Sequence, residues 1–569
     1  AAAIAWAVLL TLFGLDRLVL HPALAQAVEG DPAPWLEGLL SAVGYSAAQV
    51  LPAYENVATR LNVVLVPVAL LFTLGAPRLG MDRFFDRHVG EARPEVLGFL
   101  RIVTGTVLFF HVIVEDIAGA AYYPASLVQH HGFFGLLNAI PGVSGLFLSP
   151  PFMAAFEWVA LGAAALAAVG LGSRVTVPLA AATYFVCAAI IRQPSWSFHL
   201  GLIPWYGMAV LVFFRSGDAL SLDSWLARRF RGQDASREPS RSRLRLYGWG
   251  RFSWVAVLTL PYFFAGLSKL SDGGLLWGSP NNMRNILYTC SLNDMNLDFD
   301  LGLTLGFLPD AFYGFLGVAA VYGEVAMVLT LFTWWGRLIF PGMMFFMHAG
   351  IMVTQNILFW DLMVMLAAVY AMAYWDRDGG PWDLRWLWQR LTRRVRPEEA
   401  RKTAIRSTGP SRPPKGLLAF AGVAVFCWIF AIEFFPLTAM QMFSRPRNPP
   451  GLVRYYHLYA EHEDGRRVRA KPDDVLPALR APRFRRAYKL CFVPKKQHIC
   501  DDTLGRLVML HNADAAPGEA IVAYEVERRE WDFLAAPNDP SYGETVATHR
   551  FPAERAPDQE GLAVGPGRK

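Results

Sequence analysis

Charged residues are scarce in this chain. Asp, Glu, Lys and Arg together make up 18% of its 569 residues, whereas hydrophobic residues make up 54%. Soluble domains carry more charge than this, so an ordinary soluble domain is excluded for most of the sequence. Apolar runs of about 20 residues, the length of a membrane-crossing helix, recur along the chain. The composition therefore predicts a polytopic all-α transmembrane protein, with a more polar tail after about residue 440.

The signatures of several enzyme classes are also missing. The sequence contains no P-loop, no G-x-S-x-G, no H-E-x-x-H and no pair of C-x-x-C motifs, which argues against P-loop nucleotide hydrolases, α/β-hydrolases, zincins and zinc ribbons. Steps of small residues such as 162-GAAALAAVGLG-172 are typical of helices that pack together in a membrane.

Cysteine is rare, with five residues in the chain. Cys187 and Cys427 fall in apolar runs and are most simply small apolar residues. Cys491 and Cys500 flank a short segment of the tail, where an oxidising compartment would permit a disulfide, although spacing alone does not decide whether they are bonded. A zinc site built on Cys491, His498 and Cys500 lacks a fourth ligand at a usual spacing, so no metal is expected.

Eleven apolar runs have the character of membrane spans, from which we expect about 9–11 crossings. The first could instead be a cleaved signal peptide, because 22-PALAQA-27 resembles a small-residue cleavage site; we favour a retained helix. The paired runs 338–355 and 357–374 are short enough to be re-entrant. The eleven runs lie near 1–20, 57–77, 98–118, 151–171, 174–192, 198–214, 253–270, 311–333, 338–355, 357–374 and 415–437.

Basic residues are concentrated between the spans. The segments 78–97, 215–251 and 375–415 are rich in Arg and Lys, and the order of the spans puts all three on one side. The positive-inside rule makes that side cytoplasmic. The net charge of +6 then reflects topology, so we expect the lipid bilayer as a partner and no nucleic acid. The tail from 438 to 569 falls outside.

The tail has the pattern of a small β-rich domain. Residues 452–470 predict two strands around Asp464-Gly465, a common hairpin turn. Residues 521–531 alternate between apolar and polar, as a half-buried strand does. The stretch 475–490 is basic and partly helical, and would hold an acidic substrate, bind anionic lipid headgroups or form a solvated surface. The end, 552–569, has the composition of a disordered segment.

The most informative side chain is Lys269, within the apolar run 253–270. A lysine inside a membrane helix costs roughly 2.5–3.5 kcal/mol on insertion scales and is usually paired, wetted or used for chemistry. Either its ammonium snorkels to the interface, or its amine faces a dry cavity and acts as a base. His199 and His348 lie in other apolar runs, and the span count places them with Lys269 at the outer third of the membrane. Glu324 is a carboxylate in a further apolar run and needs either a partner or a proton. His111, Glu115 and Asp116 add polar groups near the outer end of a further span.

Lys269, His199 and His348 each lie in a short sequence motif. They are W-x-x-H at 196–199, F-x-A-G-x-x-K-L at 263–270 and F-x-H at 346–348. Together they resemble the vitamin K-dependent γ-glutamyl carboxylase family, whose bacterial relatives share the HTTM membrane domain. The run 97–110, with Arg101, is similar to the start of that domain. The resemblance covers roughly residues 93–376.

The resemblance implies an activity and a site. Lys269 would deprotonate reduced vitamin K or menaquinol, after which O2 adds and the basic product removes a γ-hydrogen from glutamate, so that CO2 can add. His199 would assist the carboxylation and His348 would shape the catalytic pocket. The substrate would be a secreted or periplasmic glutamate-containing peptide. The remaining residues expected around the quinone are Glu324, Trp196, Phe263 and Trp277.

The expected organisation follows from these patterns. Residues 1–92 would form additional N-terminal transmembrane helices, 93–376 the HTTM-like core, 377–440 a basic cytoplasmic loop with the last span, and 441–569 the extracytosolic domain. The resemblance implies a bacterial inner-membrane location. A second function class stays open, namely a non-catalytic membrane protein that binds a lipid or quinone and a protein partner. Ser197 and Phe198 favour it, because the carboxylases have asparagines at those positions.

Overall fold

The computed structural model contains helices along most of its length and a small sheet near the C-terminal end. Both features agree with the predicted class. It describes residues 2–29, 33–43, 46–74, 88–129, 132–195, 201–231, 240–299, 301–372, 414–430, 432, 435–436, 438 and 451–556.

The helices up to residue 429 precede the sheet. They are α1 (Ala2–Leu15), α2 (His21–Glu29), α3 (Pro34–Val43), α4 (Ala47–Leu74), α5 (Pro94–Glu115), α6 (Gly132–Asn138), α7 (Val143–Leu146), α8 (Pro150–Val169), α9 (Ser173–Arg192), α10 (Leu202–Leu211), α11 (Leu222–Arg231), α12 (Arg241–Gly273), α13 (Pro280–Leu292), α14 (Leu301–Thr304), α15 (Asp310–Ala326), α16 (Leu329–Phe332), α17 (Trp334–Gln355), α18 (Trp360–Ala371) and α19 (Lys415–Ile429).

Five helical stretches in the described part of the chain are long and apolar enough to cross a membrane. They match five of the predicted spans and are Pro94–Tyr122, Pro150–Val169, Ser173–Arg192, Arg241–Gly278 and Trp335–Gln355. The predicted spans 198–214 and 357–374 correspond to the shorter apolar helices α10 and α18. The predicted span 311–333 is interrupted after α15, which ends at Ala326.

Helices α5 and α12 lie at the centre of the bundle. Helix α5 packs against α8, α9, α10, α12 and α18, and α12 also packs against α10 and α15. A hydrogen bond of 3.1 Å from the Trp254 indole to the Thr104 hydroxyl joins the two helices in the core. With 33 residues, α12 is about 50 Å long, so it extends beyond a hydrocarbon layer of about 30 Å.

The C-terminal domain is a four-stranded antiparallel sheet covered by helices. Its strands are β1 (Leu452–His462), β2 (Arg467–Arg469), β3 (Ile521–Asp532) and β4 (Glu544–Pro552), in the order β2-β1-β3-β4. Its helices are α20 (Pro472–Val475), α21 (Ala481–Leu490) and α22 (Gln497–Asn512).

The predicted hairpin is confirmed. Tyr459 pairs with Arg469 across β1 and β2, and Gly465 in the turn has φ +82°, a conformation that glycine adopts without strain. The predicted strand at 521–531 and the helix within 475–490 are also present, as β3 and α21. Strand β4 and helix α22 were not predicted from the sequence.

Strand β1 is buried on both faces. The side chain of Tyr456 points to α21, with its ring 6.4 Å from that of Tyr488. The neighbouring side chain of Tyr455 belongs to a second cluster with Tyr288 of α13. Because α13 covers one face and α21 covers the other, β1 shows a continuous run of buried residues in place of the alternation that a one-sided sheet produces.

Parts of several predicted segments lie outside the described residues. These are the basic loop 377–413, most of 431–450 and the end of the chain from 557. Residues 552–556, at the start of the segment expected to be disordered, complete β4 and form a 3-10 turn at Ala553–Arg555.

Candidate functional site

Lys269 is buried and paired. It lies about one turn before the end of α12 and is 5% exposed. Its Nζ donates hydrogen bonds to both carboxylate oxygens of Glu324, at 2.9 and 2.6 Å, and lies 5.1 Å from the centre of the Trp277 ring. The side chain therefore does not snorkel to a solvated interface. The expected proximity of Lys269, Glu324 and Trp277 is found in the structure.

Gly266 explains why α12 and α15 approach closely enough for this pair to form. A Cβ atom at Gly266 would lie 2.9 Å from the backbone nitrogen of Val325 and 3.0 Å from the Cβ of Glu324. Backbone atoms cannot rotate out of the way as a side chain can. The glycine of the F-x-A-G-x-x-K-L motif thus permits the helix contact one turn before Lys269.

His348 forms a second polar pair with Tyr262, two turns before Lys269 on α12. The Tyr262 hydroxyl and His348 Nε2 are 2.7 Å apart, and both side chains are buried. The other ring nitrogen of His348, Nδ1, makes no hydrogen bond with any described residue. His348 also contacts Phe359, with ring centres 5.1 Å apart and the ring planes tilted by 57°.

His111 forms a third pair. Its Nε2 lies 3.2 Å from a carboxylate oxygen of Asp361, at the start of α18, and both side chains are almost completely buried. The Trp360 ring lies 4.8 Å from the imidazole. The pairs of His111, His348 and Lys269 thus involve α5, α12, α15, α17 and α18.

A cavity of about 410 Å³ lies beside the His348 and His111 pairs. It sits between the end of α5, the loop before α18 and the start of α21. Phe359 and Trp360 line the cavity and also contact His348 and His111, so the cavity is one side chain away from both histidines. Lys269 does not line it. The lining residues are Phe110, Val114, Glu115, Asn296, Ile357, Leu358, Phe359, Trp360, Arg480 and Arg483.

The C-terminal domain forms one wall of this cavity through its basic stretch. Arg483 is 2% exposed and forms a direct ion pair with Glu115 at the end of α5. Arg480 donates a hydrogen bond of 2.5 Å to the Val114 carbonyl, and Tyr123 donates one of 2.6 Å to the Ala478 carbonyl. Arg480 and Arg483 of the basic stretch therefore pack against the bundle, whereas Lys489 of the same stretch is exposed.

The N-terminal helices reach the same region. Arg60 of α4 is completely buried, donates to the Trp428 carbonyl at 3.0 Å and lies 3.4 Å from an Asp272 carboxylate oxygen. The Trp428 indole in turn donates to the Ser268 hydroxyl at 3.1 Å. Since Ser268 and Asp272 flank Lys269 on α12, residues of α4 and α19 help to enclose the lysine.

The remaining residues predicted from the sequence do not contact Lys269 in the described part of the structure or lie outside it. Trp196 and His199 lie outside the described residues. Phe263 is half-buried against the hydrophobic core, with its ring 5.5 Å from that of Phe264. Arg101 lies away from the lysine pair, where it donates to the Leu220 carbonyl at 2.5 Å and to the Ser173 hydroxyl at 3.3 Å.

Sequence reasoning missed four residues of the site. Asp361 and Arg60 are charged residues in apolar runs, the same signal that identified Lys269. Tyr262 and Trp428 carry no such signal, because aromatic residues are ordinary in membrane helices.

No known protein family, curated protein or solved structure matches this chain.

Proposed function

We propose that this protein is an integral membrane enzyme of the carboxylase-like type, which binds an isoprenoid quinol and takes a proton from it. One observation carries the proposal. Titratable side chains that an apolar bundle would otherwise exclude are collected in three buried pairs, and the two histidine pairs lie next to aromatic residues that line a cavity. Such groups are costly in a membrane and commonly mark proton-handling sites.

The cavity supports a ligand of this kind. Its volume falls in the usual range for small-molecule sites, about 300–1,000 Å³, and six of its ten lining residues are apolar or aromatic. A planar ring would fit against Phe359 and Trp360, with its apolar tail reaching the bilayer. Reduced vitamin K or menaquinol, when bound, would supply the oxidisable ring that reacts with O2.

The chain's own groups would receive the proton. The Nδ1 atom of His348 is buried beside Phe359 and has capacity for a further hydrogen bond. Its Nε2 contacts Tyr262 on the helix that carries Lys269. Within the Lys269–Glu324 pair, a proton moves from amine to carboxylate without changing the total charge, and this leaves a neutral amine that can act as a base. A water-poor bundle strengthens each of these interactions.

The carboxylation of a glutamate-containing peptide, with CO2 as co-substrate, rests on the resemblance of three motifs. It would take place where the cavity meets the C-terminal domain. The proposed topology has about 9–11 crossings in a bacterial inner membrane, with the basic loops in the cytoplasm and the C-terminal domain outside. The distribution of Arg and Lys supports this orientation.

A non-catalytic protein that binds a lipid or quinone is the second candidate. Glu324 engages Lys269 through both carboxylate oxygens, and the lysine does not line the cavity. In this arrangement the pair would join α12 to α15, and the cavity would only hold its ligand.

The test is oxygen-dependent epoxide formation from reduced vitamin K or menaquinol by the purified chain in nanodiscs. We expect epoxide from the wild type and none from Lys269→Ala. Lys471→Ala is the matched control, because it removes a lysine that pairs with Asp298 outside the bundle, and it should keep full activity. Quinol binding without epoxide in the wild type would refute catalysis and favour the second candidate.

A further inference from the structure

The disulfide of the C-terminal domain lies beside two metal-binding side chains. Cys491 and Cys500 are bonded, and both are buried. They join the end of α21 to the first turn of α22. Asp501 follows in α22, and His549 extends from β4. The sulfur of Cys500, a carboxylate oxygen of Asp501 and a ring nitrogen of His549 all lie within 4.8 Å of one another.

His549 is held in an orientation that suits a ligand. Its Nδ1 contacts the side-chain amide of Gln497 at 2.9 Å, and its Nε2 lies 2.7 Å from the Asp501 carboxylate. Metal-binding histidines typically have one ring nitrogen fixed by a neighbouring polar group while the other binds the ion. The two ends of an amide exchange by rotation, so Gln497 can accept the Nδ1 hydrogen when Nε2 binds a metal.

We propose that reduction of the Cys491–Cys500 disulfide converts this cluster into a zinc site. The four ligands are the two thiolates, the Asp501 carboxylate and His549 Nε2, a set that zinc accepts in tetrahedral geometry. Sequence spacing pointed to His498 and found no fourth ligand. The fold instead supplies His549 from a strand 49 residues beyond Cys500, together with Asp501, which revises the expectation that no metal binds.

The chemistry balances with a phosphine as reductant. One phosphine and one water reduce the disulfide to two thiols and give one phosphine oxide. Zinc then displaces one proton from each thiol, so that two protons are released for each ion bound. Solvent can reach the cluster, because the side chains of Asp501 and His549 are 33% and 12% exposed.

The disulfide-bonded and zinc-bound states cross-link different secondary-structure elements. The disulfide links α21 to α22, whereas zinc would additionally link α22 to the outer strand β4 through His549. The site would therefore keep this half of the domain cross-linked when the compartment or a reductant opens the disulfide. None of the four ligands lines the cavity beside the bundle, so this inference does not depend on the proposed quinol chemistry.

The test uses the full chain in detergent, purified without a histidine tag. After phosphine reduction, equimolar zinc is added, unbound metal is removed by gel filtration, and zinc per chain is measured by mass spectrometry. We expect about one zinc in the reduced protein and none in the oxidised protein. Cobalt in place of zinc should give thiolate-to-cobalt charge-transfer absorption. Failure of the reduced protein to retain either metal would overturn the proposal.

Four variants locate the site. His549→Ala should lose the bound zinc, and Gln497→Ala should weaken binding by about 10–100-fold, the usual cost of removing a group that orients a ligand. His498→Ala is the matched control, since this histidine is exposed on the same helix, and it should bind normally. Full zinc retention by His549→Ala would place the metal elsewhere, as would retention by the double variant Cys491→Ser/Cys500→Ser, which leaves the buried Cys187, Cys290 and Cys427.

Discussion

Variants of the Lys269–Glu324 pair can distinguish a structural role of the lysine from a role in proton transfer. Both side chains are at least 90% buried, and the ammonium donates to both carboxylate oxygens. Removing one partner leaves an uncompensated charge in an apolar bundle, at a cost of about 3–5 kcal/mol. Lys269→Met and Glu324→Leu should each lower the free energy of unfolding by this amount, which is a factor of about 10²–10⁴ in the unfolding constant.

The double variant Lys269→Met/Glu324→Leu should behave differently. It has no buried charge, and its apolar side chains have volumes similar to those they replace. Buried ion pairs replaced in this way often give proteins as stable as the original or more stable. We therefore expect an unfolding free energy within about 1 kcal/mol of the wild type, because the desolvation cost of both ions disappears together.

Two assays on the wild type, the two single variants and the double variant test whether the pair acts through its charge and whether Lys269 is the base. Unfolding is followed by tryptophan fluorescence in mixed micelles with increasing fractions of denaturing detergent, and epoxide formation is measured in parallel. The proposed function predicts a stable but inactive double variant. A double variant as unstable as either single variant would refute the charge argument. A stable double variant that still forms epoxide would exclude Lys269 as the base.

Three further outcomes test other parts of the structure. Arg483→Met should weaken the attachment of the C-terminal domain to the bundle by about 3–5 kcal/mol and speed its release by proteolysis, because Glu115 is left buried and unpaired. Adding Glu115→Leu should restore much of this loss. Equal release from the single and double variants would contradict the prediction. Burial lowers the pKa of His457 from 6.5 to about 4, so the unfolded chain binds more protons between these values. Stability should therefore fall by up to about 3 kcal/mol as the pH drops through this window; urea unfolding above and below it would check this, with His457→Gln as the variant that should not respond. Gly266→Ala should separate α12 from α15 and reduce both thermal stability and activity by a measurable amount, because the added methyl group meets the backbone nitrogen of Val325 at 2.9 Å. Unchanged melting would disprove the close-contact explanation.

Much of the architecture could be predicted from periodicity and composition. The apolar runs located all five long membrane-type helices, the hairpin turn at Asp464-Gly465 located β1 and β2, and alternation located β3. The sequence did not predict β4, because 544-ETVATHRFP-552 has little apolar character. This strand is mostly exposed and pairs only with β3 within the described sheet, so few of its side chains need to be hydrophobic.

The sequence could identify single site residues from the energetic cost of placing a charge in a membrane helix, but it could not predict which of them contact each other. A charge in an apolar run is improbable without a partner, and this rule found Lys269 and Glu324. This rule did not show that the two side chains contact each other, because the contact depends on where Gly266 lies along α12 and on which faces α12 and α15 turn towards each other. It also gave no account of Tyr262, whose hydroxyl gains significance only from the imidazole placed beside it.

The distribution of the buried charges suggests which group meets a ligand first. Lys269 has Glu324, Arg60 has Asp272, and Arg483 has Glu115. These cations are already matched by anions, which lowers the cost of their burial but also occupies them. His348 differs, because one ring nitrogen contacts a neutral tyrosine and the other makes no hydrogen bond with any described residue.

A buried nitrogen without a hydrogen bond is destabilising by about 1–3 kcal/mol, and a ligand hydroxyl that supplied the missing bond would recover that energy. The Phe359 ring lines the cavity and lies 5.1 Å from His348, whereas Lys269 is hydrogen-bonded to Glu324 and does not line the cavity. We therefore infer that a quinol hydroxyl would contact His348 before any proton reaches Lys269. Under this order, His348→Gln should weaken quinol binding as well as turnover, while Lys269→Met should abolish turnover and leave binding nearly intact. Equal loss of binding in both variants would reverse the order.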